Sequence, residues 1–274
     1  MFEKNRFAGS NSQYIRFPFR DFIAAQKELG ISRIDLVGAV PHLWCDHISP
    51  VQTEEVKRIL EEEEMEVTVF SPKAYRYSIY AEPETVQASA TLNYYRNCIN
   101  AAGELGCAAV ALPLEGACFD QPRERLWNNA VQMLEAICGI AGGQGITVLL
   151  PSVTEEVSPI LTSLKDVKEM TGQIGSGALA VLLDIPVISV QGETISQWFG
   201  QLGEKIKLVR FTDGNYNGCR VWGEGCLPCE RFLKELESSG YDGMFSLQMP
   251  GEKYVDAPYD ADKRNLSSLE RFLR

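Results

Sequence analysis

The sequence predicts an α/β protein, a single (β/α)8 TIM barrel occupying residues 1–274 as one domain. Three observations carry that expectation. Short apolar runs alternate with amphipathic stretches from end to end. Most runs lack strict apolar/polar alternation, as expected of parallel strands covered on both faces. Glycines stand just before several of the runs, where a C′ glycine closes a helix.

In order, the strand runs are FAGSN from Phe7, RIDLVG from Arg33, EVTVF from Glu66 and AAVALPL from Ala108. ITVLL from Ile146, ALAVLL from Ala178, KIKLVRF from Lys205 and MFSLQM from Met244 complete the set. Between them lies helical spacing. Val86, Ala90, Cys98, Ala101, Ala102 and Leu105 form one core-facing stripe, and Leu126, Ala130, Met133, Leu134, Ile137 and Ala141 form another. Gly30, Gly106, Gly145 and Gly240 are the terminating glycines. Strand followed by helix, repeated along the whole chain, argues for a closed barrel over an open sheet. No GxGxxG or GxxxxGK[ST] follows a strand, so nucleotide-phosphate folds have no support.

Composition narrows the function. At 45% hydrophobic and 23% charged, the 274 residues suffice for a core. No apolar run approaches the ~20 residues of a membrane span, and the start, MFEKNRFAGS, has no signal-like apolar stretch, so a cytoplasmic location and no membrane partner are expected. A net charge of −11 without a basic stripe argues against nucleic acid. The acidic run Glu61–Glu64 reads as a solvated helix face. Eight scattered cysteines suit reduced thiols. Cys226 and Cys229 form a CxxC entering a helix, and without a second CxxC they read as incidental rather than redox or zinc-binding.

A barrel of this kind builds its active site at the C-terminal strand ends. Those ends offer Pro41 and His42 after strand two, Ser71, Pro72 and Lys73 after strand three, and Glu115 near the end of strand four. Leu150 ends strand five, Asp184 strand six, Arg210 and Asp213 strand seven, and Gln248 strand eight. Asp184 and Glu115 are the catalytic candidates, with Asp213 a further acid/base option. His42, Arg210, Asp213, Arg220, Trp222 and Gln248 are the substrate-binding candidates. Each has a plain alternative: His42 as a loop histidine bonded to backbone, Glu115 as a solvated carboxylate, Arg220 and Trp222 as an exposed loop. Lys73 reads as a surface lysine rather than a Schiff-base amine.

Three segments carry a resemblance. ELGISRIDLVGAVPH from Glu28, LLDIP around Asp184, and GEGCLPCERFLKELESSGYDGMFSLQ from Gly223 resemble, in content and order, the xylose isomerase-like sugar isomerases and epimerases. The pattern is most similar to the fructoselysine 3-epimerase-like members. The resemblance implies one divalent metal held by Glu, Asp, His and Glu from strands five to eight, with the two glutamates moving a proton beside the sugar carbonyl. Carried onto this chain, only Asp184 survives. Leu150, Arg210 and Gln248 stand at the other three positions. An arginine fork pairing with a carboxylate can take the place of a cation, so no metal or other cofactor is expected. Mn or Mg would enter only if the strand ends were mismatched.

The resulting expectation is a divergent, metal-independent barrel that binds a sugar or sugar derivative as its small-molecule partner, with a homo-oligomer open. If it is active, isomerase or epimerase chemistry is implied by analogy. Alternatives are a non-catalytic sugar-binding or subunit barrel, and a conventional metal-dependent ketose 3-epimerase. With only His42 and His47, the chain lacks the histidines of a trinuclear zinc endonuclease.

Overall fold

The computed structural model describes residues 1–46, 50–74, 76–251 and 253–274, so His47 lies outside the described residues. Eight parallel strands close a barrel: β1 (Phe7–Ser10), β2 (Arg33–Gly38), β3 (Glu66–Pro72), β4 (Ala109–Ala111), β5 (Thr147–Leu150), β6 (Leu179–Asp184), β7 (Ile206–Arg210) and, eighth in the ring, β10 (Met244–Ser246). β10 pairs with both β7 and β1, which seals the ring. The remaining two strands, β8 (Asp213–Asn215) and β9 (Gly218–Arg220), form an antiparallel hairpin after β7. The sequence reading did not contain that hairpin.

Helices α1 (Phe19–Glu28), α2 (Pro50–Glu62), α3 (Val86–Glu104), α4 (Arg123–Gly142) and α5 (Leu164–Ile174) follow the first five strands in turn. α6 (Ile185–Val190) and α7 (Ile195–Leu202) follow β6, α8 (Cys229–Ser238) follows the hairpin, and α9 (Pro258–Leu269) follows β10. Gly30, Gly106, Gly145 and Gly240 all have φ between +67° and +70°, the left-handed backbone that only glycine adopts without strain. The α4 stripe is buried throughout. The α3 stripe is shorter than its sequence pattern, because Val86 sits in the first turn and is 89% exposed. Around Glu61–Glu63 the acidic run pairs with Lys57, Arg58, Arg20 and Lys27 on a solvated face.

Among the described residues, two of three buried apolar clusters shape the barrel. Inside the barrel, Val69, Ala111, Leu149, Ala180, Leu182 and Leu208 pack together. Their strand neighbours Phe70, Val110, Val148, Leu150, Val181, Leu183 and Val209 point outward into the larger layer shared with the helices. This two-residue alternation decides which side chains reach the mouth. Continuing it two residues beyond Leu182 and Leu208 brings Asp184 and Arg210 inward, and the same alternation around the outward Phe245 brings Ser246 and Gln248 inward. No helix among the described residues is long and apolar enough to cross a membrane.

Candidate active site at the barrel mouth

Asp184 and Arg210 are register partners on adjacent strands, and Ser246 partners Arg210 on its other side. Arg210 Nη1 donates to Asp184 Oδ2 at 3.2 Å, with the two side chains 14% and 9% exposed. Asp184 Oδ1 accepts from the Val187 amide at 3.3 Å and so caps α6. Burial pushes the Asp184 carboxyl above its ordinary range, and Arg210 pulls it back. Arg210 Nε is fully buried without a hydrogen-bond partner among the described residues.

One layer deeper lies a carboxylate that sequence reasoning missed. Asp35, from the middle of β2, is 0% exposed. Ser71 Oγ donates to its Oδ1 and Ser246 Oγ to its Oδ2, both at 2.6 Å, the short range of charge-assisted bonds. Burial raises the Asp35 carboxyl, while Arg210, the two serines and Lys73 act against that shift. The signal was present in the sequence: one charged residue interrupts an otherwise apolar run, Ile34-Asp35-Leu36-Val37. Buried charges persist only when partnered, and this one has both oxygens satisfied.

At the strand-five position, Leu150 faces away from the mouth. Leu150 is 0% exposed and packs in the outer layer, whereas its neighbour Leu149 belongs to the barrel interior. The next inward position is Pro151, which is buried. Neither residue offers a metal ligand. Gln248 is 5% exposed, and its side-chain amide has no partner among the described residues.

Other expected site residues are committed elsewhere. Asp213 accepts from the amides of Gly214 and Leu227 on Oδ1 and of Gly223 and Gly225 on Oδ2. Its carboxylate therefore ties the hairpin to the following loop rather than facing a ligand. His42 is the plain loop histidine: its Nε2–H donates to the Phe17 carbonyl at 2.9 Å, and Nδ1 accepts from Asn11 Nδ2 at 2.8 Å. Burial lowers its pKa, which keeps the ring neutral. Trp222 stacks on Phe272 at 5.6 Å, meets Phe211 edge-on at 5.8 Å and lies under Arg271, so its ring is a packing element. Arg220 donates to the Cys219 carbonyl within the hairpin. Glu115 is exposed, and no contact among the described residues joins it to Asp184 or Arg210. Cys229 is buried, with its thiol pushed up to about 12, opposite to the shift of a reactive CxxC; Cys226 is exposed.

Against this geometry, comparisons place the chain among known proteins. Residues 23–272 match the family model described as xylose isomerase-like TIM barrel. The chain belongs to that family. Among curated relatives, the fructoselysine 3-epimerase of Shigella flexneri is 22% identical over 261 residues, covering 94% of this chain and 93% of the relative. The D-psicose 3-epimerase of Clostridium cellulolyticum H10, solved with D-tagatose, superposes with a TM-score of 0.79 at 13% identity, covering 97% of this chain and 98% of that one. A 3-keto-D-glucoside 4-epimerase from E. coli gives 0.79 at 15% identity, covering 96% and 99%. At such identities these two structures attest the shared fold.

The family's expected metal can be tested against the side chains present. Of the four ligand positions implied by the resemblance, Asp184 alone keeps an oxygen donor that binds hard cations well, and both its oxygens are engaged. The side chains of Leu150 and Arg210 have no lone pair to offer, and Gln248 offers only a neutral amide oxygen. Among the described residues, no group of three or more His, Cys, Asp or Glu is arranged to hold an ion. As possible donors, these positions supply one carboxylate and one neutral amide oxygen.

Proposed function

We propose that the chain binds a sugar or sugar derivative at the C-terminal mouth of the barrel, using the Arg210–Asp184 pair in place of the family's divalent metal. The observation that carries this reading is the ion pair itself, formed between the strand-six and strand-seven positions where the resemblance puts two ligands. The guanidinium is a permanent charge that polarises or pairs with a ligand oxygen without coordination chemistry. The two-glutamate proton relay implied by the resemblance has no counterpart, since Pro151 and Gln248 cannot exchange protons. Any proton transfer here rests on Asp184, whose carboxyl is raised by burial toward the range useful to an acid or base.

Metal analysis after dialysis tests the replacement: no stoichiometric Mn, Mg, Co or Zn is expected, and chelator should leave Tm unchanged. Restoring ligands as Pro151→Glu, Arg210→His and Gln248→Glu together should create Mn binding. A set using Leu150→Glu instead should unfold the outer core, because it buries an unpaired carboxylate. One tightly bound metal equivalent in the unmodified protein refutes the reading. A thermal-shift screen with ketoses and sugar acids tests the binding half.

A further inference from the structure

We infer that the ligand of the mouth carries a carboxylate, which Arg210 receives with Lys73 and Gln248 alongside. This inference rests on the metal-free sugar site just proposed. A guanidinium offers five N–H donors, and Arg210 engages one of them among the described residues, Nη1 to Asp184. Its Nε is buried without an acceptor. Gln248, 5% exposed, presents an amide with no partner among the described residues. Lys73, one residue past β3 on the inward alternation from Val69 and Ser71, is half-buried, and its amine makes no hydrogen bond or ion pair among the described residues. Its charge is nevertheless felt by Asp35.

Positions on the inward alternation of β3, β7 and β10 thus supply donors, while each nearby carboxylate oxygen already accepts one hydrogen bond. Both Asp184 oxygens and both Asp35 oxygens already have donors. The complement of a donor surplus is an oxygen-rich anion. A planar carboxylate matches the edge of a guanidinium in a way a hydroxyl, bringing its own proton, does not. Charge selects the monoanion. Arg210 is already paired with Asp184, which leaves Lys73 as the one unpaired cation at these positions, a match for one carboxylate and too little for a phosphate dianion. The ligand class is therefore a sugar acid.

Titration calorimetry of the intact protein with D-gluconate and D-glucuronate, beside D-glucitol, D-glucose and D-glucose 6-phosphate, tests this. The acids should bind at least about tenfold more tightly than their neutral counterparts, a difference typical of one charge-assisted contact. Arg210→Lys, which keeps charge but loses the fork, should weaken the acids selectively; Lys73→Met does the same from the more exposed side and serves if the first variant is unstable. Neutral sugars binding as tightly as the acids, or the phosphate binding most tightly, overturns the carboxylate inference and leaves the sugar site standing. No binding by any of the five overturns both.

Discussion

Arg210 is the residue on which the proposed site turns, and its energetics are measurable. Two charges at 14% and 9% side-chain exposure, paired at 3.2 Å, are desolvated enough that removing one strands the other. Arg210→Ala and Asp184→Ala should each cost roughly 3–5 kcal/mol, and the double variant less than their sum, read from denaturant unfolding. Additive losses would show two independent side chains. Asp184 was legible in the sequence because strand-end position and family pattern agree on it, and Arg210 because it stands at the strand end where the resemblance expects a histidine. Asp35 was not, although it is the deepest charge at the mouth. A strand-end search looks one layer too high for it, and the two serines that make its burial tolerable come from β3 and β10, far apart in sequence. His42 and Asp213 differ: residue type and position suggested ligand contacts, whereas in the folded chain both are engaged by hydrogen bonds whose partners are set by folded loops.

At the level of the element, the register of β5 and the β8–β9 hairpin separate what pattern reading reaches from what it does not. A run such as TVLL, apolar on both faces, carries no sign of which residues face inward, so Leu150 and Pro151 are indistinguishable until the barrel closes. The hairpin was hidden for a different reason: Asp213–Asn215 and Gly218–Arg220 are too short and polar to read as strands. Its integrity depends on Gly225. A Cβ there would stand 2.2 Å from Asp213 Oδ1 and 2.5 Å from the Gly214 carbonyl. Gly225→Ala should therefore displace the carboxylate from its amides and lower stability by about 1–3 kcal/mol, the usual cost of overpacking. It should also weaken ligand binding while the far-UV CD spectrum stays that of the parent. An unchanged Tm would mean that the loop rearranges freely.

Across the whole molecule, the fold was the most legible layer, because eight strand–helix repeats leave few ways to bury every apolar face at once. What closes the ring was less visible. Tyr14 Oη and Gln26 Nε2 both donate to Asp262 Oδ2, at 2.9 and 2.8 Å, tying the first β-α unit to the last helix. Burial pushes the Asp262 carboxyl up to about 7. An ordinary aspartate titrates near 4, so the folded state holds this proton more tightly than the unfolded chain. The contribution is present below about pH 4 and lost as pH rises toward 7. Asp262→Asn, still accepting from Tyr14 and Gln26, should remove that loss, and stability-versus-pH curves of the two proteins should diverge between those values. Parallel curves would place the charge in solvent.

The Asp213 tie has one more consequence. Four amides from Gly214 to Leu227 converge on a single carboxylate, so the rim above Asp184 and Arg210 takes its shape as the chain folds. The conformational entropy of ordering that loop is lost then, rather than when a ligand arrives. Association becomes an encounter between a diffusing molecule and a finished receptor. For the site proposed above, differences in affinity among ligands are then expected to fall on how long each one stays.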